Sequence, residues 1–170
     1  MKKIKALFLD RDGVINKDPG YLYRIEDFEF MPGIFAALRG FIELGFEIFV
    51  VTNQSGIGRK YYTQADFDKL SEYMINEFKA QGVNIKKIYH CPHTPDDNCE
   101  CRKPKSGMFL KALSEFNIDM KSSIMIGDKQ SDIDAASGAG VGKGFLLDGG
   151  KFSSVMDVLE YIRGLRWEYW

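Results

Sequence analysis

Short apolar runs alternate with longer amphipathic stretches along the chain. The apolar runs predict β-strands over residues 6–9, 46–51, 85–90, 123–126 and 144–147. The amphipathic stretches predict helices over residues 32–44, 63–80, 106–116, 131–138 and 153–163. Strands that alternate with helices are typical of βαβ units. The pattern therefore predicts an α/β fold with a doubly wound, mostly parallel, Rossmann-like sheet.

Local signals set the ends of several predicted helices. Pro32 suits the first position of a helix, because its fixed φ is already helical and it needs no N–H partner there. Thr63 with Asp66 three residues later resembles a capping box, and Ser106 is expected to cap the next helix. The polar and aromatic stretch 17–31 predicts a loop that folds over the end of the first strand.

The first apolar run, residues 6–9, does not alternate, which predicts a strand buried on both faces; so short a run also fits one turn of a buried helix. It ends in Asp10-Arg11-Asp12-Gly13, where glycine lets the backbone turn sharply. Ligands of open α/β sheets bind beyond the carboxyl ends of the strands. Two adjacent carboxylates repel each other, and a hard cation such as Mg²⁺ relieves that repulsion. Turn and cap roles for both aspartates are the alternative.

Two further strands end in polar clusters, Thr52-Asn53-Gln54-Ser55-Gly56 and Gly127-Asp128-Lys129-Gln130-Ser131-Asp132. One such cluster is explained by turn chemistry. Three clusters at the same edge of a parallel sheet indicate a site, because these edges face the same crevice.

Composition sets limits on the partners of the chain. Its 170 residues carry a net charge of −1, so we expect one domain over 1–170 without general attraction to nucleic acid or anionic membranes. The basic start, Met1–Lys5, resembles that of a signal peptide, but Asp10-Arg11-Asp12 interrupts the apolar segment after four residues. No apolar run has the length of a membrane span. A monomer in the cytoplasm is expected.

All three cysteines lie in the loop 91–101 together with His93. An odd number of cysteines does not suit a disulfide framework, whereas Cys91, His93, Cys99 and Cys101 supply four ligands for tetrahedral zinc. A Cys99–Cys101 disulfide is the alternative, and a reducing compartment disfavours it.

The order of the motifs resembles that of the haloacid dehalogenase-like phosphatases: DxD after the first strand, Thr after the second, a Lys, then GDxxxD. The strings FLDRDGVIN, FEFMPG, VTNQSGIGR, CPH, CRKPKSGM and IGDKQSD are similar to those of the heptose bisphosphate phosphatase family and its histidinol-phosphate phosphatase relatives. No segment of the length of a large cap domain separates the motifs. The resemblance also favours His93 over His90 as zinc ligand, since His90 belongs to a predicted strand.

The resemblance implies a role for each catalytic residue. Asp10 is implied as the nucleophile that forms an aspartyl-phosphate, and Asp12 as the group that protonates the leaving oxygen and later activates water. Thr52 and Lys103 are implied to hold the phosphoryl group. Mg²⁺ is implied to bind Asp10, Asp128 and the backbone carbonyl of Asp12.

The implied substrate is a small phosphorylated sugar. The reaction is removal of the 7-phosphate from D-glycero-D-manno-heptose 1,7-bisphosphate, a precursor of lipopolysaccharide or other surface glycans. The implied substrate-binding residues are Asp18, Gly20, Tyr21, Asn53, Gln54, Ser55, Arg102 and Lys129. Asp132 is expected to be structural. The alternatives are a histidinol-phosphate phosphatase, a nucleic-acid 3′-phosphatase, a receiver-like signalling domain and a zinc-dependent interaction module.

Overall fold

The computed structural model describes residues 2–168, and their side chains as far as Leu165. Its centre is a sheet of parallel strands in the order β3-β2-β1-β4-β5. The strands are β1 (Lys5–Leu9), β2 (Phe46–Asn53), β3 (Ile85–Cys91), β4 (Ile124–Gly127) and β5 (Lys143–Leu146). This order confirms the predicted doubly wound sheet, since the chain builds outward from β1 first on one side and then on the other.

Helices cover both faces of the sheet. They are α1 (Ile34–Glu43), α2 (Ser55–Gly58), α3 (Gln64–Ala80), α4 (Gly107–Glu115), α5 (Gln130–Gly138) and α6 (Val155–Glu168). Short 3₁₀ turns occupy Ile25–Asp27, Pro95–Asp97 and Met120–Ser122. No large cap domain is inserted between the elements described. No helix within residues 2–168 combines the length and the apolar character that crossing a bilayer requires.

Strand β1 is buried on both faces, as its continuous apolar run predicts. Leu7 and Leu9 pack against residues of α1, α3 and α6, whereas Ala6 and Phe8 pack against residues of α4 and α5. All four side chains are fully buried. This two-sided packing explains why the strand shows no polar alternation.

The register of β1 places three loops side by side. Leu9 pairs with Val50 of β2 on one side and with Ile126 of β4 on the other. The residues that follow these three positions therefore leave the sheet at the same edge. They include Asp10, Thr52 and Asp128.

The predicted helix starts have different outcomes at α3, α1 and α4. Thr63 and Asp66 form the predicted capping box, with reciprocal bonds of 3.1 and 2.9 Å. The prediction that Pro32 begins α1 is wrong: Gly33 takes a φ of 78°, outside the helical region, and the helix begins at Ile34. Ser106 stands before α4, but its hydroxyl donates to the carbonyl of Ala135 instead of capping.

The sequence pattern does not predict how the C-terminal aromatic segment, Trp167 to Trp170, packs. Tyr169 and Trp170 lie outside the described residues, and the side chains of residues 166–168 are likewise not described.

Candidate active site

A cavity of about 340 Å³ opens at the carboxyl edge of β1 and β2. Most predicted site residues line it, namely Asp10, Asp12, Asp18, Gly20, Tyr21, Asn53, Gln54, Ser55, Arg102, Lys103 and Lys129. Thr52 and Asp128 do not line it. Gly56, Arg59, Tyr62, Ser131 and Asp132 also line the cavity, and none of them was predicted to contact substrate.

Three carboxylates crowd together at the floor of the site. Ligand oxygens of Asp10, Asp128 and Asp132 all lie within 4.8 Å of one another. Burial, opposed by Lys103 and helped by the charges of the neighbouring aspartates, raises the pKa of Asp10 to about 8. Burial likewise raises the pKa of Asp128, whose Oδ1 is buried without a hydrogen-bond partner among the described residues. This oxygen-only donor set fits a hard divalent cation such as Mg²⁺.

Gly13 allows the turn after β1 to lie close to Asp128. Gly13 has a φ of 86°, and a Cβ at this position would collide with the carboxylate of Asp128. Only glycine accepts both constraints without strain. The DxDG turn and the loop after β4 can therefore lie in contact.

Lys103 is the cation inside this acidic cluster. Its Nζ is 2.6 Å from Asp132 Oδ1, 3.0 Å from Asp10 Oδ1 and 2.8 Å from the carbonyl of Val51. Burial acts to lower the pKa of Lys103, but Asp10 and Asp132 outweigh it and raise the pKa overall. The lysine is thus held as a cation beside the predicted nucleophile. Asp132, expected to be structural, orients it.

The backbone of Lys103 is fixed by Asn53 at the end of β2. The Asn53 amide accepts a hydrogen bond from the Lys103 N–H at 3.1 Å and donates one to the Lys103 carbonyl at 3.2 Å. Asn53 lines the cavity as expected, and its amide also holds the backbone of Lys103. The strand end and the lysine loop are therefore joined by side chain to backbone bonds.

Asp12 accepts hydrogen bonds at both carboxylate oxygens. Arg11 donates from Nε at 2.9 Å and from Nη2 at 3.1 Å, Asn16 donates at 3.0 Å and Gln54 at 3.1 Å. Arg11 is 1% exposed and also donates to the carbonyl of Leu22, so it ties the loop after β1 to Asp12. Sequence reasoning missed this arginine, because nothing in the local pattern separates a buried arginine from one in a solvated turn.

Thr52 lies beneath the cavity. It is 1% exposed, and its hydroxyl oxygen accepts a hydrogen bond of 2.9 Å from Gln54 Nε2. Its own contact to the Asn53 carbonyl is long, at 3.4 Å. The implied contact between Thr52 and a phosphoryl group stays a prediction.

The loop 17–31 lies at the mouth of the cavity. Asp18 accepts a hydrogen bond from the N–H of Gly20, which closes a tight turn. Tyr21 follows this turn and lines the cavity. The Tyr21 ring meets the Tyr61 ring edge to face at 4.8 Å. This placement agrees with the prediction that the loop folds over the first strand end.

Three basic side chains surround the cavity beyond Lys103, those of Arg59, Arg102 and Lys129. Arg102 Nη1 is buried without a partner among the described residues. A buried guanidinium nitrogen that lacks an acceptor is costly, and an anionic group in the cavity would satisfy it.

The Cys/His loop forms a compact cluster of four soft donors. Cys91 Sγ lies 2.8 Å from Cys101 Sγ and 3.5 Å from Cys99 Sγ, and His93 Nδ1 lies 3.3 Å from Cys101 Sγ. The three cysteines are free, so the alternative of a Cys99–Cys101 disulfide is wrong. Burial acts to raise the pKa of Cys99, but hydrogen bonds from the Arg102 backbone and the neighbouring thiols outweigh it and lower the pKa to about 6. Burial raises the pKa of Cys91 and of Cys101. A tetrahedral zinc site fits this donor set.

His90 does not belong to this cluster. Its Nε2 lies 2.9 Å from Gln64 Oε1, and its ring stacks on Phe67 with a centroid distance of 4.3 Å. The four donors that the structure groups are those with His93.

The Cys/His loop is bonded directly to the loop after β2. Gln54 donates its backbone N–H to the Cys91 carbonyl at 2.7 Å, and Gly58 donates to the Pro92 carbonyl at 2.9 Å. The other end of the Cys/His loop continues from Cys101 into Lys103. The Cys/His loop therefore joins the loop after β2 to the segment that carries Lys103.

Comparisons with known proteins agree with this arrangement. A family model described as HAD-hydrolase-like matches residues 100–160. A D-glycero-alpha-D-manno-heptose-1,7-bisphosphate 7-phosphatase of Campylobacter jejuni is 50% identical over 169 residues, covering 95% of this chain and 97% of the relative. The corresponding beta-anomer phosphatase of Escherichia coli K12 is 45% identical, with 88% and 82% covered.

A solved structure supports the same assignment. The D,D-heptose 1,7-bisphosphate phosphatase of B. bronchiseptica, complexed with magnesium and phosphate, has a TM-score of 0.85 and 27% identity over 95% of this chain and 99% of that chain. A putative HAD-like phosphatase of Mesorhizobium loti has a TM-score of 0.82 and 30% identity, with 96% and 88% covered. The chain therefore belongs to the haloacid dehalogenase-like hydrolases and, within them, to the D-glycero-D-manno-heptose-1,7-bisphosphate 7-phosphatase family.

Proposed function

We propose that the protein hydrolyses a phosphate monoester on D-glycero-D-manno-heptose 1,7-bisphosphate and releases the 7-phosphate. The observation that carries this is the buried Lys103 cation between Asp10 and Asp132, below a cavity lined by further cations. The names of relatives at 45–50% identity support the same substrate. Sugar bisphosphates have the two anionic ends that such a cavity can hold.

The chemistry proceeds in two steps. A carboxylate oxygen of Asp10 attacks phosphorus, the bond from phosphorus to the sugar oxygen breaks, and Asp12 gives a proton to that oxygen. Water then attacks the aspartyl-phosphate, Asp12 takes its proton, and phosphate leaves with Asp10 restored. Lys103 stabilises the charge on the phosphoryl oxygens throughout. Bound Mg²⁺, held by Asp10, Asp128 and the backbone of Asp12, would neutralise charge at the same place.

The second phosphate of the substrate needs its own partners. Arg102 has an unpaired buried nitrogen, and Lys129 and Arg59 line the same cavity. These cations favour a sugar bisphosphate over histidinol phosphate, whose other end carries an ammonium group and not an anion.

Zinc is proposed at Cys91, His93, Cys99 and Cys101, where it would act on geometry and not on chemistry. Four protein ligands complete a tetrahedral shell, so no position remains for a reacting water. The metal would hold the backbone that carries Arg102 and Lys103.

A phosphate-release assay tests the proposal. Both anomers of heptose 1,7-bisphosphate, histidinol phosphate and a 3′-phosphorylated oligonucleotide are compared, with ³¹P NMR used to see which phosphate is lost. We expect multiple turnovers and loss of the 7-phosphate with the anomeric phosphate retained. Faster release from histidinol phosphate or the oligonucleotide would contradict the assignment. A long-lived acyl phosphate without turnover would favour a receiver-like domain.

The proposal includes three finer expectations from the sequence: a monomer, a cytoplasmic location and no nucleic-acid partner. Light scattering at two protein concentrations checks the first of these, and a concentration-dependent mass would contradict it.

A further inference from the structure

Tyr62 places a buried hydroxyl beside the active site. The residue is 5% exposed and lines the cavity, and its hydroxyl donates a hydrogen bond to Gln54 Oε1. Arg11 Nη2 also donates to this oxygen, at the much longer distance of 3.5 Å. No motif in the sequence marks Tyr62, since it follows α2 in an ordinary turn.

Gln54 uses both of its amide N–H groups on predicted catalytic side chains. Its Nε2 donates to Asp12 Oδ2 at 3.1 Å and to Thr52 Oγ1 at 2.9 Å. An amide nitrogen has only two protons to donate, so both are in use. The orientation of this amide therefore decides whether Asp12 and Thr52 face N–H donors or a carbonyl oxygen.

The opposite amide orientation would change both contacts. The carbonyl oxygen of Gln54 would then face Asp12, which must be ionised when it takes the proton of the attacking water, and two acceptors repel each other. The same oxygen would attract the hydroxyl proton of Thr52. In the observed orientation Thr52 accepts from Gln54, so its own proton is not drawn to Gln54; among the described residues it has only the long contact of 3.4 Å to the Asn53 carbonyl.

The ring of Tyr62 is seated so that its hydroxyl reaches Gln54. A Cβ on Gly56 would collide with the Tyr62 ring, so glycine there lets the ring lie directly on the turn after Gln54. The Tyr62 ring also stacks on Tyr23, with a centroid distance of 5.4 Å and an angle of 12°. Burial raises the pKa of Tyr62 to about 12, which keeps the group a neutral donor.

We propose that Tyr62 is a positioning residue of this phosphatase: its hydroxyl fixes the Gln54 amide so that Gln54 donates to Asp12 and Thr52 together. The inference rests on the proposed function. In this proposal Tyr62 acts through Gln54, to which its hydroxyl donates, and does not itself touch the reacting atoms.

The first test removes only the hydroxyl. Tyr62→Phe keeps the ring on Gly56 and against Tyr23, so folding should be retained. Loss of one buried hydrogen bond to Gln54 should lower kcat about tenfold, with KM changed less than twofold. Tyr61→Phe is the matched control: it removes the hydroxyl of the preceding residue, which is 56% exposed, keeps the ring that meets Tyr21, and should leave kcat unchanged.

A double-mutant cycle shows whether Tyr62 works through Gln54. In a Gln54→Leu background, Tyr62→Phe should change kcat less than twofold, because the amide that it orients is gone. Single-turnover measurement extends the comparison to slow variants. An equal loss in both backgrounds would overturn the proposal. So would an unchanged kcat in the single variant, or a rise in KM alone, which would mean that Tyr62 contacts the substrate.

A spectroscopic readout separates this inference from the proposed function. The two Nε2 protons of Gln54, identified in ¹H–¹⁵N spectra by their loss in Gln54→Leu, should exchange with solvent about tenfold faster in Tyr62→Phe than in wild type. Tyr61→Phe should leave them unmoved. Unchanged signals in Tyr62→Phe would refute the positioning role even in an active enzyme. Absence of phosphatase activity in wild type would instead refute the function, with this measurement still decisive for the hydrogen bond.

Discussion

The acidic cluster around Lys103 and the Cys/His cluster are two groups of four side chains that are built in opposite ways. Asp10, Lys103, Asp128 and Asp132 come together from distant parts of the chain, whereas the Cys/His donors lie within residues 91–101. The first offers hard oxygens and a cation beside an open cavity. The second offers soft donors that complete a shell. This difference supports the proposal that the first site performs the chemistry, while the second, with zinc bound, holds the loop that supplies Lys103.

The largest expected effect comes from removing the nucleophile. Asp10→Asn should lower phosphate release below about a hundredth of wild type, a loss of roughly 3 kcal/mol or more, because an amide oxygen is a poor nucleophile. Initial-rate assays check this, with binding of the heptose bisphosphate measured by calorimetry. Asp134→Asn, at an exposed position on α5, should behave as wild type. Retention of more than a hundredth of the turnover would contradict covalent catalysis by Asp10.

Asp12→Asn sharpens the division of roles. This change should also be severe, since the leaving oxygen then departs without a proton and water is not activated. Phosphoenzyme should accumulate in Asp12→Asn and be absent in Asp10→Asn, as intact-protein mass spectrometry would show. Accumulation in both variants would place the covalent step elsewhere.

Replacing Lys103 tests whether its ion pairs with Asp10 and Asp132 stabilise the fold as well as support catalysis. Lys103→Met leaves Asp10 and Asp132 without their partner, at a site where the Lys103 and Asp132 side chains are each 2% exposed. Breaking such a pair should destabilise the fold by about 3 kcal/mol and lower kcat about a hundredfold. Urea unfolding and steady-state kinetics measure the two effects. Unchanged stability would mean that both acids are protonated without the lysine.

Disrupting the Cys/His cluster should have a smaller effect of a different kind. Cys99→Ser should lower zinc content and activity together, with activity reduced about ten- to a hundredfold by displacement of Lys103. The concentration of Mg²⁺ for half-maximal activity should stay the same. Metal analysis and kinetics test this, with His90→Asn as a control that should keep its zinc. Normal turnover and stability in a zinc-free preparation would contradict the account.

The smallest effect concerns pH and Mg²⁺. Burial first, and then the neighbouring aspartates, raise the pKa of Asp10 to about 8, so below that pH a bound metal must displace a proton. Mg²⁺ binding should therefore weaken as pH falls. Its half-saturating concentration should rise about tenfold between pH 7 and pH 6. A constant value from pH 8 to pH 6 would show that Asp10 is ionised without the metal.

Local pattern alone determined much of this protein. The unbroken apolar run of β1 predicted a strand buried on both faces, and polar residues after three strands predicted the edge where the cavity lies. The Cys/His cluster could be predicted because its members are close in sequence. The start of α1 could not be predicted, because the left-handed φ of Gly33 outweighed the helical preference of Pro32.

Only the tertiary structure decided which polar groups meet. Lys103 and Asp10 are 93 residues apart, and their 3.0 Å contact depends on how β1, β2 and the Cys/His loop pack. The burial of Arg11 and the bond from Tyr62 to Gln54 are of the same kind. Periodicity reports which face of an element is buried, since burial repeats along the chain. Hydrogen bonds between side chains of different elements follow no repeat, so they emerge only when the elements are packed together.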